Sequence, residues 1–206
     1  MLSTAEVRWF AQGERPLPVA AWFRGLEAPL WEEEPRVDHY LPLRDTDSVG
    51  IKVREGRVEI KRRYKAPRPI HFGGNFSGSL EWWTKWGFDL REGPQPLETF
   101  EDLAAWTAVR KTRMMHGYAI ERGTDVVTLS GATPPDQGCS VELTQVSVEE
   151  QLWWTLGFEA VGELAALEKI LQITVRHVLA DADVLKLGLE ASFGYPRWLQ
   201  LLSDEA

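Results

Sequence analysis

The sequence predicts an α+β fold, with antiparallel strands first and helices after them. Three observations carry this. Segments with charge on every second residue recur along the chain: Glu6-Val7-Arg8-Trp9-Phe10, Ile51-Lys52-Val53-Arg54, Val58-Glu59-Ile60-Lys61-Arg62-Arg63 and Ser140-Val141-Glu142-Leu143-Thr144. A strand sends successive side chains to opposite faces, so Lys52 and Arg54 share one face and Ile51 and Val53 the other. Glu55-Gly56-Arg57 is a tight turn joining two of these segments. After Gly162 the period changes: Leu164, Leu167, Ile170, Leu171, Val175 and Val178 recur at helical spacing.

Each element follows from local pattern. Glu6 to Ala11 reads as the first strand. Pro16 to Leu26 reads as a short helix, with Val19, Trp22, Phe23 and Leu26 at helical spacing. Arg36 to Leu43, Val49 to Glu55 and Val58 to Lys65 are strands, the last two a hairpin. Phe72 to Ser79 is a Gly/Ser-rich loop or bulged connection, and Leu80 to Leu90 a strand carrying Trp82, Trp83 and Trp86. Arg91 to Pro96 is a break and Thr99 to Ala105 a helical turn. Strands follow at Trp106 to Ile120, Val126 to Ser130, Val141 to Val146 and Leu152 to Val161. Pro134 to Gly138 turns between the second and third of these. Beyond the long helix, Ala182 to Leu189 and Pro196 to Leu202 read as shorter helices. The chain is one domain over 1–206, with strands over about 5–162 and helices over about 163–206.

Composition narrows the function. No apolar run reaches the roughly 20 residues that span a bilayer, so no membrane partner is expected. The start MLSTAEVRWF has no basic n-region or apolar h-region, so no signal peptide is expected there. A single cysteine, Cys139, excludes an internal disulfide and a thiolate zinc cluster, and a cytoplasmic setting is expected. The net charge of −8 argues against broad nucleic-acid binding. Yet Lys52, Arg54, Arg57, Lys61, Arg62, Arg63, Lys65 and Arg68 crowd one stretch.

If the strands curl into one barrel, their charged faces line a basic cavity with a few carboxylates. Four cations, Lys52, Arg54, Lys61 and Arg63, would then sit close together, because neighbouring strands lie about 4.8 Å apart. They repel unless an anion or carboxylates offset them. An open sheet with one wet face gives the same alternation. Glu6 and Glu142 are candidate ligands for a hard cation, with Glu59, Glu121 and Glu159 as further ones. Gly73 to Ser79 lacks the GxxxxGK[ST] pattern of a phosphate loop. His39, His71, His116 and His177 form no HExxH pair, and no GxSxG elbow is present.

The order of these features resembles the CYTH superfamily, the triphosphate tunnel metalloenzymes. Glu6-Val7-Arg8-Trp9-Phe10 stands where that family has ExExK, and Asp38-His39-Tyr40-Leu41 looks like its second strand. Ile51 to Arg54 and Glu59 to Arg62 look like its basic strands, Arg110 and Arg113 fall where a later basic strand is expected, and Gly138 to Thr144 looks like its late acidic strand. The resemblance implies an antiparallel barrel or tunnel of about eight strands with C-terminal helices. It implies a phosphorylated small-molecule anion held by Arg8, Lys52, Arg54, Lys61, Arg63, Arg110 and Arg113. Mg²⁺ or Mn²⁺ would sit on Glu6, Glu142 and Glu159. Departures are plain: Arg8 replaces the second glutamate, Phe10 the lysine, and Thr144 a late acidic residue.

Three functions stay open on the sequence: a metal-dependent triphosphatase, a non-catalytic module that binds an organic anion or nucleotide, and a protein-interaction domain using Trp82 to Trp86 and Trp153-Trp154. The stripe from Leu164 to Val178 fits either a cap on the barrel or a homodimer.

Overall fold

The computed structural model describes residues 1–89, 105–120, 127–129 and 137–204. Its strands are β1 (Leu2–Gln12), β2 (Leu30–Glu32), β3 (Arg36–Leu41), β4 (Val49–Arg54), β5 (Arg57–Arg63), β6 (Arg68–Gly73), β7 (Phe76–Asp89), β8 (Thr107–Ile120), β9 (Val127–Leu129), β10 (Gly138–Val148) and β11 (Gln151–Val161). The helices are α1 (Leu17–Arg24), α2 (Leu167–Val178) and α3 (Tyr195–Asp204).

Eight of the strands close into an antiparallel barrel. The order runs β1-β11-β10-β8-β3-β4-β5-β7, and β7 returns to β1. The closing seam pairs Leu2 with Lys85 and Glu6 with Glu81. β1 therefore has partners on both edges, with Glu6 also opposite Glu159 on β11. Closure leaves no open edge on the ring. β6 extends from β7, and β2 and β9 from β8.

Strand parity divides the chain into two environments. The odd residues of β1, Ala5, Val7 and Trp9, face outward into a large apolar core with Leu143, Leu156, Phe158 and Leu80. α2 covers this outer wall with Leu167, Ile170, Leu171, Thr174, Val175 and Val178, the spacing of one helical face. The apolar stripe is thus a cap on the barrel, although Leu164 precedes the helix and is exposed. α1 begins after Pro16, carries Pro18 in its first turn, and buries Val19, Ala20 and Phe23. His116 of β8 faces the Phe23 carbonyl through Nε2 at 2.9 Å and that of Ala28 through Nδ1 at 2.8 Å.

The inner face ends in a second, smaller core: Phe10, Tyr40, Val109 and Val146 from the strands meet Tyr195, Trp198 and Leu199 at the start of α3. Trp198 stacks on Phe10 with centroids 5.1 Å apart. α3 therefore plugs one end of the barrel with aromatic rings.

Several expected elements differ. The Gly/Ser-rich segment after Phe72 is a hairpin: β6 and β7 pair from Arg68↔Leu80 to Gly73↔Phe76, with a register shift between His71 and Gly73. Gly73 and Gly74 both take positive φ, which lets the chain reverse there. Ala182 to Leu189 is not helical; only a short 3₁₀ turn at Leu189–Ala191 follows. Trp82 and Trp83 are buried and belong to the packing, not to a partner surface. The breaks and turns expected at Arg91 to Pro96, Thr99 to Ala104 and Pro134 to Asp136, and the candidate Glu121, lie outside the described residues. No described helix is long and apolar enough to cross a membrane.

Candidate functional site

The barrel lumen holds a cavity of about 630 Å³, a volume in the range that takes small ligands. Every wall contributes charge. β1 supplies Glu6 and Arg8, β3 Arg36, β4 Lys52 and Arg54, β5 Arg57, Glu59 and Lys61, β7 Lys85, β8 Lys111 and Arg113, β10 Glu142 and β11 Glu159. Among the described residues nine cations and four carboxylates line the cavity, and Glu33, Asp38 and Asp89, which pair with these cations from behind, bring the carboxylates to seven, an excess of two positive charges inside a chain whose net charge is −8. The alternation along the strands therefore belongs to a closed lumen and not to an open wet sheet.

One cluster is built on Glu142. It accepts from Arg8 Nη2 at 2.9 Å and from Arg113 Nη1 at 2.7 Å. Arg113 also donates to Glu33, just after β2, through Nε at 3.0 Å, and Glu33 binds Arg36 as well. Burial would raise the Glu142 carboxyl, but Arg113 and Arg8 overcome it and hold the group well below the usual range. Arg8 reaches Glu142 because its cross-strand partner is Gly157, which has no side chain to block it.

A second cluster surrounds Asp38, which is fully buried. Lys111 Nζ donates to Tyr40 Oη at 2.6 Å and lies 2.9 Å from Asp38 Oδ2, with Lys52 at 3.8 Å from the same oxygen. The Tyr195 ring closes over Lys111 at 4.0 Å and over Arg8 at 5.2 Å, so the plug sits directly on the cations. Burial pushes the Lys111 ammonium down to about 8 despite Asp38; Arg8 and Arg36 push the same way. Burial lowers Lys52 also, helped by Lys111.

The third cluster lies on the closing seam. Glu6 takes Lys85 at 3.0 Å and Lys61 at 3.3 Å, and Lys85 also binds Glu159. Burial opposes the charge on Glu6, yet Lys61, Lys85 and Arg8 hold its carboxyl far below normal. Lys61 rests on the Trp83 ring at 4.2 Å. Nearer solvent, Glu59 pairs with Lys52 at 2.9 Å and Arg54 at 3.0 Å.

The lumen thus gathers Arg8, Lys52, Arg54, Lys61 and Arg113 of the expected anion ligands. Arg63 shares their face but lies past the cavity, held by Glu81 at 3.0 Å and by Asp47. Arg110 is exposed and does not line the cavity, because it stands on the opposite face of β8 from Lys111 and Arg113. Lys85, Lys111, Arg36 and the Tyr40–Tyr195 pair were not foreseen. Thr144 lines the cavity between cross-strand partners Arg113 and Thr155, and its buried hydroxyl makes no hydrogen bond to the described residues.

Glu6, Glu142 and Glu159 all face the lumen, but as partners of lysine and arginine. Among the described residues no group of three or more histidine, cysteine, aspartate or glutamate side chains converges as a metal site. A hard divalent cation needs free oxygen donors, and Arg8 brings a fixed positive charge into their midst. These residues do not fit Mg²⁺ or Mn²⁺.

Fold and site together define a closed β-barrel with a cation-rich lumen. No protein-family profile matches the chain, and no curated protein matches it. Among solved structures it is similar to the PH1819 protein from Pyrococcus horikoshii OT3, at 14% identity and TM-score 0.49, covering 98% of this chain and 99% of that one. It is also similar to HpAC1, a putative adenylyl cyclase from Hippeastrum described as having a dominant triphosphatase activity. Identity there is 10% and TM-score 0.34, covering 86% of this chain and 88% of that one. Likeness at this level assigns no chemistry, which rests on the chain's own residues.

Proposed function

We propose that this chain is a CYTH-type barrel that binds a phosphorylated anion, a triphosphate chain or a similar polyanion, in its lumen. One observation carries the reading: nine cations gathered around a cavity of about 630 Å³ inside a closed strand ring, more than the seven carboxylates that pair with them. Carboxylates of the chain offset most of this charge, the surplus favours an entering anion, and low local dielectric strengthens each contact with it. Arg8 and Arg113 offer planar guanidinium groups suited to phosphate oxygens, and Lys52, Lys61, Lys85 and Lys111 add point charges around them. Thr144 supplies a spare hydroxyl. The resemblance in strand order supports the same reading. Among the described residues metal-assisted hydrolysis finds no free carboxylate set, so the reading is of a binding module.

The test is calorimetric titration of the purified protein with inorganic tripolyphosphate, with and without Mn²⁺. Saturable binding is expected, weakened in the Lys52→Ala/Lys61→Ala double variant. No heat of binding in either condition refutes the proposal.

A further inference from the structure

This inference rests on the anion-binding reading and concerns the form in which the anion is held. Each lumen carboxylate is already neutralised from within the protein: Glu142 by Arg8 and Arg113, Glu6 by Lys61 and Lys85, Glu159 by Lys85, and Glu59 by Lys52 and Arg54. Arg8 is the pivot. It follows Glu6 on the same inward face of β1 and bonds Glu142 at 2.9 Å, so its guanidinium already takes up a carboxylate that a divalent ion would need. Its position is fixed from three sides, by Glu142, by Thr155 Oγ1 at 3.4 Å and by the bare Gly157 backbone. It is 8% exposed, and a divalent ion placed beside a charge this desolvated is strongly repelled.

We propose that the lumen takes its phosphorylated anion free of divalent metal, with Arg8, Arg113 and the lumen lysines together offsetting phosphate charge that a metal would otherwise offset. A metal complex of the same anion carries two fewer negative charges and brings a dication into a lumen with a surplus of cations. It gains less from the site and meets more repulsion. Mg²⁺ and Mn²⁺ are therefore antagonists of binding: they draw the bare anion into complexes that the lumen refuses.

The deciding experiment titrates the full chain with tripolyphosphate in EDTA and then in rising Mg²⁺. Binding in EDTA is expected, with an apparent Kd that rises about tenfold or more as Mg²⁺ comes to exceed the ligand. Binding that requires Mg²⁺ or tightens with it overturns this inference and leaves the anion-binding reading standing. Absence of binding in both arms removes that reading and this inference with it. A second measurement titrates Mn²⁺ alone and follows it by electron paramagnetic resonance. The native chain is expected to leave Mn²⁺ free. Arg8→Glu, which adds a carboxylate beside Glu6 and Glu142 and removes the guanidinium, is expected to capture it. Tight Mn²⁺ binding by the native chain, or a folded Arg8→Glu protein that gains none, overturns the role given to Arg8.

Discussion

Arg8 lies against the bare α-carbon of Gly157: a Cβ at position 157 would stand 2.4 Å from the central guanidinium carbon. The two residues are opposite one another on β1 and β11, so nothing but the absence of a side chain clears the path from Arg8 to Glu142. Gly157→Ala should push the guanidinium off Glu142 and leave both charges poorly paired. We expect tripolyphosphate to bind about tenfold more weakly. Overpacking of this kind costs about 1–3 kcal/mol of stability. Calorimetry and urea unfolding measure the two effects separately.

Lys111 links pH to binding. Burial, with Arg8 and Arg36, depresses its pKa to about 8 against the pull of Asp38, so the folded chain gives up this proton more readily than the unfolded one. Between about 8 and the ordinary lysine value near 10.4 the unfolded state holds more protons, and stability rises with pH across that window. Anion affinity moves the other way, because the lumen loses a positive charge as Lys111 neutralises. Tripolyphosphate binding should weaken above about pH 8, and Lys111→Met should remove that step. A flat affinity profile from pH 7 to 10 in the native chain would contradict this assignment.

Strand parity made the lumen legible where the pattern was clean. Lys52, Arg54, Glu59 and Lys61 alternate strictly across a hairpin with an unambiguous turn, and all four line the cavity. The resemblance offers both Arg110 and Arg113 as anion ligands, but their odd separation puts them on opposite faces of one strand, and Lys111 is the residue that shares a face with Arg113. Lys85 was hidden by its neighbours. Trp82 faces the outer core while Trp83 faces inward under Lys61, so aromatic bulk on both sides of β7 masks its charged face. The aromatic plug was not readable at all, since Phe10, Tyr40, Val146 and Trp198 are distant in sequence and meet only when the ring closes.

Asp38 is the buried counter-charge of the lumen. It lies 2.9 Å from Lys111 and 3.2 Å from Arg36, and 3.8 Å from Lys52. Burial works against its ionisation, but Lys111 and Lys52 hold its carboxyl far below normal. Its stabilising charge is present above the unfolded carboxylate pKa and is lost as pH falls toward the folded one. Asp38→Asn leaves these cations uncompensated and should cost about 3–5 kcal/mol. The double variant Asp38→Asn/Lys111→Met should recover part of that loss. A thermodynamic cycle by urea unfolding reads the coupling, and simple additivity would mean that the two residues do not act as a pair.

Trp198 tests whether the plug shapes the site or only stabilises the fold. It is fully buried, stacked on Phe10 at 5.1 Å and edge-on to Tyr195 at 5.6 Å, and Tyr195 in turn covers Lys111 and Arg8. Trp198→Ala should cost about 3–5 kcal/mol and also weaken anion binding, because a loosened Tyr195 admits water to the deepest cations. Leu171→Ala is the control. Leu171 is equally buried but lies under α2 on the outer wall, so its loss of about 2–5 kcal/mol should leave the affinity for tripolyphosphate unchanged. If both variants weaken binding alike at matched stability, the plug acts through global stability alone; if only Trp198→Ala does, the floor of the barrel is part of the binding site.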